Sequence, residues 1–265
     1  MASRKNFSMR KSNRKTAPNV VSLQPAPGFL QFFEQAVGPK AAPAEIEKAV
    51  RFANRFKADL ENPETPLRRL RQVWSRIAPF YPNLLHPERL ESELSIISRH
   101  AAISPTDNIV SLGSGPAILE TFIAKNLAFK GQVTCIDISP KFVRMARNLR
   151  EKLGLKNMKI LTGSATAIRL PDSSQDKVII SQTNLADTIH WQQVLRESLR
   201  VLKKGPAAKL VLTFASEGRK ELPGIFKSLS VNGFQREFVG SYGKAGNAEA
   251  IVIIASPQVK FWGKK

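Results

Sequence analysis

Between residues 87 and 214 the chain alternates short, continuously apolar runs with segments whose apolar residues recur every three or four positions. The runs at 108–112, 132–137, 158–162, 177–182 and 208–214 read as strands. The segment after Pro87 (Leu90, Leu94, Ile97) and those at 116–127, 140–153 and 191–202 read as helices. Strands that are near-continuous apolar runs, such as Lys177-Val-Ile-Ile180, suit a parallel sheet covered on both faces, since a face meeting water would force polar residues into every second position. The helices then supply the crossovers between parallel neighbours. Past residue 214 the pattern changes to a helix at 219–230, a strand at 234–239, a Gly/Asn-rich turn at 241–247 and a strand at 249–255. That order reads as a terminal hairpin. The expected architecture is α/β: a doubly wound, Rossmann-like, mostly parallel seven-stranded sheet with an antiparallel C-terminal strand.

What precedes the sheet is different. Residues 1–33 hold six cations (Arg4, Lys5, Arg10, Lys11, Arg14, Lys15), no acid, and Pro18, Pro25, Pro27 and Gly28, so they read as a disordered basic tail. A mitochondrial presequence is the alternative, which would place the protein in the matrix rather than the cytoplasm. Residues 34–85 read as a helical cap or lid. Ile46, Ala49, Val50, Ala53, Phe56 and Leu60 mark one helix over 43–60. Leu67, Leu70, Val73, Trp74 and Ile77 mark the inner face of a second that starts after Pro66, with Arg68, Arg69, Arg71 and Arg76 on or beside its polar face. Residues 86–256 form the sheet domain, and 257–265 a basic C-terminal tail.

Composition excludes several classes. No apolar run reaches the ~18 residues of a membrane-spanning helix. One cysteine, Cys135, leaves no internal disulfide, and with only His86, His100 and His190 beside it no protein-built metal site is expected. The net charge of +20 favours polyanions such as RNA as partners. Yet residues 1–82 carry +9 and residues 83–265 carry +11, so the excess is spread rather than gathered in one arm.

The chemistry begins at Asn108-Ile-Val-Ser-Leu-Gly113-Ser-Gly115-Pro-Ala117, where a buried strand runs into a glycine turn and a helix. Glycines allow a tight turn and close approach of a ligand, and the helix start offers free N–H groups. Asp137, at the tip of the next strand, stands where a carboxylate can accept both hydroxyl hydrogens of a ribose. A dinucleotide fingerprint would need glycine or alanine at position 118, which is Ile118.

Here the chain resembles the class I S-adenosylmethionine-dependent methyltransferases, closest to the ubiquinone/menaquinone-biosynthesis type that acts on small molecules. Four stretches carry the likeness over roughly residues 70–256: Ser111-Leu-Gly113-Ser-Gly115-Pro-Ala117; Cys135-Ile-Asp137-Ile-Ser-Pro-Lys-Phe-Val-Arg-Met-Ala146; Gly163-Ser-Ala-Thr-Ala-Ile-Arg-Leu-Pro-Asp172 leading to Asp176; and Val194-Leu-Arg-Glu-Ser-Leu-Arg-Val-Leu-Lys-Lys-Gly-Pro206. The terminal hairpin is similar as well. The resemblance implies S-adenosyl-L-methionine as cofactor, with Gly113, Ser114 and Gly115 toward its methionine part and Asp137 on the ribose. Ile138 would lie against the adenine, Ser164, Ala165 and Thr166 at the adenine edge, and Gln182, Thr183 and Asn184 along the methyl-transfer face.

Two positions depart from the family pattern. Ser111 stands where the family has an acid that helps hold the methionine amino group, a loss of roughly 1.5–3 kcal/mol for such a charge-assisted bond. Serine can still donate or accept, and Glu120 is close in sequence. Ala117 stands for the third glycine, a change that is small if its backbone φ is negative.

Methyl transfer from a sulfonium is an in-line displacement that needs alignment and dryness more than a fixed catalytic group. His190, Asp187 and Tyr81 are the candidates near the expected mouth, His190 as a base and Tyr81 as part of a closing segment. The reading is a methyltransferase (EC 2.1.1.-) that methylates a small-molecule acceptor. An RNA methyltransferase, with the basic tail and helices on phosphates, and a non-catalytic binding or assembly protein are the alternatives.

Overall fold

The computed structural model describes residues 19–20, 26, 28–39, 41–181, 190–215, 222–242 and 250–258. A two-residue strand β1 (Asn19–Val20) is followed by α1 (Phe29–Val37), α2 (Pro43–Asn54), α3 (Lys57–Glu61), α4 (Leu67–Ile77), a 3-10 segment (Ala78–Leu84) and α5 (Pro87–His100). Then come β2 (Ile109–Leu112), α6 (Ile118–Asn126), β3 (Val133–Asp137), α7 (Pro140–Lys152), β4 (Met158–Thr162) and β5 (Lys177–Ile180). The chain ends with α8 (Trp191–Val201), β6 (Lys209–Ala215), α9 (Leu222–Val231), β7 (Phe234–Tyr242) and β8 (Ala250–Pro257).

The strands form one sheet in the order β1-β7-β8-β6-β5-β2-β3-β4. All pairings are parallel except those of β8, which runs antiparallel between β6 and β7. The seven strands read from the sequence are present, and β1 adds an eighth at the edge of β7. From β2 the chain steps outward through β3 to β4, then returns to lay β5 on the other side of β2. This reversal puts a crevice at the carboxyl ends of β2, β3 and β5, where doubly wound sheets bind ligands.

Continuous burial of the strands follows from packing on both faces. Ile109, Val133, Cys135 and Ile160 pack on one side with residues of α1, α5, α6 and α7. Val110, Leu112, Val178, Ile180, Leu210 and Leu212 pack on the other with residues of α8 and α9. Each such side chain contributes ~1.5–3 kcal/mol through burial.

Three sequence expectations are corrected here. The boundary drawn at Phe33 cuts through α1, whose Phe29, Phe32 and Phe33 are buried, the first two with their rings against Phe122 of α6. Their i, i+3, i+4 spacing makes one apolar stripe, and residues 1–18 lie outside the described part. The single helix expected over 43–60 is instead α2 and α3. The chain turns at Arg55–Phe56, where the Phe56 ring is buried with Val73 and Ile77 of α4. Finally, Ala117 has a φ of +59°, in the left-handed region, and α6 begins at Ile118 rather than Pro116. A non-glycine residue there costs ~1–2 kcal/mol. The fully buried methyl group of Ala117 offsets part of that cost.

The cap is fixed to the sheet domain through α4 and the 3-10 segment. Arg69 donates two hydrogen bonds, of 2.8 and 2.7 Å, to the Asp59 carboxylate and so ties α4 to α3. The Ser75 and Ser139 hydroxyls meet at 3.0 Å, joining α4 to the start of α7. Pro79 and Pro82 remove backbone donors, and the chain runs as a 3-10 helix through them into α5.

Candidate active site

A cavity of about 210 Å³ opens at the switch point between β2 and β5. Its floor is the glycine turn, in which Gly113 and Gly115 have φ of +69° and +55°, values only glycine adopts without strain. Asp137 holds this turn in place. Its Oδ2 accepts from the Gly115 N–H at 2.8 Å, and its Oδ1 accepts from the Ser139 N–H at 2.8 Å. Ser139 in turn caps α7, its Oγ accepting from the Phe142 N–H. One carboxylate thus fixes the end of β3, the glycine turn and the entry to α7.

The loop after β4 forms a second wall. Gly163, Ser164, Ala165 and Thr166 line the cavity, and the Ser164 and Thr166 hydroxyls are 2.7 Å apart. Arg200 of α8 sets the course of this loop by donating to the carbonyls of Ile168 (2.7 Å) and Leu170 (3.0 Å). Glu197 accepts from the Ile168 N–H at 2.7 Å and pairs with Arg200. The cap supplies the third wall. Leu67, Leu70 and Trp74 of α4, then Tyr81, Leu84 and Leu85, face the cavity, joined by His86 and by Arg89 and Leu90 of α5.

Of the residues singled out from the sequence, Gly113, Ser114, Gly115, Asp137, Ile138, Ser164, Ala165, Thr166 and Tyr81 all line this cavity. Ser111 lies one layer behind, fully buried, and its hydroxyl donates to Glu120 Oε1 at 2.6 Å. His190 is not among the lining residues. It occupies the N-cap position of α8 without a side-chain capping bond, and its Nε2 is buried without a partner. Gln182, Thr183, Asn184 and Asp187 lie outside the described residues.

Two acids belong to the site more firmly than their sequence context suggested. Glu120, in the first turn of α6, reaches the cavity wall beside Gly115. Glu93 of α5 is fully buried behind Ser181, and its Oε1 accepts from the Ser181 hydroxyl and, at 2.7 Å, from Thr213. A signal for Glu93 exists in the sequence, because it falls on the same helical stripe as Leu90, Leu94 and Ile97. Helix α6 is apolar nearly all round, so no periodicity pointed Glu120 inward.

Burial dominates the electrostatics of these groups. It raises the Asp137 carboxyl to about 6, against the pull of the two backbone N–H groups. It raises Glu120 to about 7, opposed by the Ser111 hydroxyl and reinforced by the nearby charges of Glu93 and Asp137. Burial, with those acids, also raises the Tyr81 phenol to about 12. Tyr81 therefore keeps its proton at neutral pH. Within a protein of net charge +20, this end of the cavity is acidic and suits a cationic ligand.

A stability consequence follows from Glu120. Between its ordinary value of 4.5 and its folded value of about 7, the folded protein binds more protons at this group than the unfolded chain does. The resulting penalty is absent below about pH 4.5 and complete above about pH 7. We therefore expect ligand-free Glu120→Gln to match wild type in stability near pH 4.5 and to exceed it at pH 8 by up to roughly 3 kcal/mol, seen as a higher melting temperature at pH 8 only. Parallel thermal melts across that range check this, and equal melting temperatures at both pH values would contradict it.

A glycine turn after the first central strand, a carboxylate at the tip of its neighbour and an antiparallel strand inserted beside the last parallel one define the class I methyltransferase fold. Residues 109–205 match the family described as a methyltransferase domain. A demethylmenaquinone methyltransferase of Listeria welshimeri is 26% identical over 149 residues, which is 54% of this chain and 61% of that protein. The chain thus aligns with about three fifths of the length of these curated relatives. Among solved structures, a SAM-dependent methyltransferase from Aquifex aeolicus superposes with a TM-score of 0.58 at 21% identity, covering 67% of this chain and 97% of that one. The cyclase SpnF superposes at 0.56 with 16% identity, over 66% and 85% of the two chains. At these identities the two structures speak for the fold alone. The family match over residues 109–205, the relatives and the fold together support the class I S-adenosylmethionine-dependent methyltransferases as what this chain is similar to.

Proposed function

We propose that the protein transfers the methyl group of S-adenosylmethionine to a small, largely apolar acceptor held beneath the cap. One observation carries this reading: a single cavity joins the glycine turn and Asp137 to an apolar wall of Leu67, Leu70, Trp74, Leu84 and Leu90. The residues present fit the cofactor, which brings a sulfonium and an ammonium to an acidic, buried recess. Bound there, it supplies a methyl group on a good leaving group.

What the chain must do is bind, align and keep water out. Asp137 would take the ribose hydroxyls, Ile138 and the 163–166 loop would flank the adenine, and the apolar cap residues would exclude water from the acceptor. Tyr81, T-shaped on Phe142 at 4.9 Å and on Trp74 at 6.4 Å, is held rigidly between the two halves of the cavity. Its hydroxyl can orient an acceptor oxygen. The Listeria relative is named for a demethylmenaquinone acceptor, in keeping with a small apolar substrate here.

The alternatives have less support. A concavity lined by Arg68, Arg71, Arg76 and Lys141 lies on the outer side of α4 and at the start of α7. Its lining holds cations but no aromatic ring, whereas single-stranded RNA is gripped by stacking as well as by charge. A purely structural protein would have no need of an apolar chamber opening onto Asp137. Among the described residues no helix is long and apolar enough to cross a membrane, and no cluster of His, Cys, Asp and Glu could hold a metal ion.

Calorimetric titration of S-adenosylmethionine and S-adenosylhomocysteine into the full chain tests the reading. Saturable binding near one ligand per chain is expected for both. Absence of heat together with absence of any thermal shift would remove it.

A further inference from the structure

The carboxylate that residue 111 lacks is present in the cavity on another element. Ser111 lies near the end of β2 and Glu120 in the first turn of α6, nine residues later. The glycine turn between them folds back so that the Ser111 hydroxyl donates to Glu120 Oε1 at 2.6 Å. Glu120 is 3% exposed and lines the cavity together with Gly113, Ser114 and Gly115. No cationic side chain forms an ion pair with it among the described residues. A buried carboxylate without a counter-charge is costly, and proteins keep such groups where a ligand completes them. The other acids nearby are placed differently: Asp137 is tied to two backbone N–H groups at the tip of β3, where the methyltransferase reading puts the ribose, and Glu93 sits behind Ser181 and Thr213.

We propose that Glu120, oriented by the Ser111 hydroxyl, takes the ammonium group of the cofactor's amino-acid part. The acidic function has moved from the strand to the first turn of the following helix, and Ser111 has become the positioning residue that holds it. This rests on the methyltransferase reading, and it assigns a ligand contact to a position outside the glycine motif. The mundane role of a first-turn glutamate is to favour the helix dipole. That role is met at an exposed position and needs neither burial nor a cavity.

The test compares three ligands and three proteins at pH 8. S-adenosylmethionine carries ammonium and sulfonium, S-adenosylhomocysteine carries the ammonium alone, and 5′-methylthioadenosine carries neither. Calorimetry is run on wild type, Glu120→Gln, and the double variant Ser111→Asp/Glu120→Gln. Glu120→Gln is expected to weaken both ammonium-bearing ligands at least about tenfold and to leave methylthioadenosine within about twofold. Unchanged methylthioadenosine binding also reports that the variant is folded. The double variant, with the acid returned to β2, should recover most of the lost affinity for S-adenosylhomocysteine. Equal binding of S-adenosylhomocysteine by wild type and Glu120→Gln would overturn the proposal while leaving the methyltransferase reading intact. So would an equal loss for all three ligands, which is the mark of a merely structural residue. Failure of wild type to bind any of them would instead sink the methyltransferase reading itself.

Discussion

Asp137→Ala is expected to weaken S-adenosylhomocysteine binding about a hundredfold, or ~2.7 kcal/mol, in calorimetry at pH 8. Two losses add. The first is direct: a carboxylate accepting ribose hydroxyls contributes ~1.5–3 kcal/mol per charge-assisted bond. The second acts through the fold, because Asp137 holds the Gly115 N–H and the Ser139 N–H, each at 2.8 Å. With the carboxylate gone, the glycine turn and the start of α7 lose their common anchor and the floor of the site is no longer pre-shaped. Asp137→Asn separates the two contributions. The amide keeps one oxygen for Ser139 or Gly115, but its NH₂ group faces the other N–H donor, so an intermediate loss is expected. Working at pH 8 matters, since burial raises this carboxyl to about 6 and it must be ionised to act. A loss below about threefold for Asp137→Ala would mean that the ligand does not lie across the tip of β3.

How much of this could be read before any coordinates depended on whether a feature was fixed by the local chain. Gly113, Gly115 and Asp137 were legible because a buried strand that turns into a helix imposes backbone demands at known offsets. The sheet was legible because burial on both faces leaves unbroken apolar runs. The φ of Ala117 was not legible, since it is set by how α6 must leave the turn to pack against β3 and α7 and not by residue 117 itself. The Ser111–Glu120 pair was half visible: the missing acid could be seen, but its replacement required knowing that the turn brings residues 111 and 120 together. At the N-terminus, six cations and a run of proline and glycine outweighed the three phenylalanines of α1, although their spacing was already helical. Charge density argues about solvation on average, whereas one apolar stripe decides whether a short helix docks.

Phe29→Ala is expected to destabilise the protein by ~3–5 kcal/mol. Phe29 is fully buried, and its ring lies 5.3 Å from Phe122, 6.1 Å from Phe32 and 6.4 Å from Phe33. The site is enclosed by α1, α5 and α6, and the surrounding helices also carry other contacts, such as Lys152 Nζ donating to the Gln35 carbonyl at 2.7 Å. The cavity left by truncation therefore cannot collapse freely, and the cost lies well above that of transfer alone. Urea midpoints for wild type and variant, with unchanged slope, measure it. The loss should be the same with and without S-adenosylhomocysteine, because Phe29 is not among the residues lining the cavity. A change below about 1 kcal/mol would mean that α1 is not docked in solution, and the boundary of the folded domain would then lie beyond Val37.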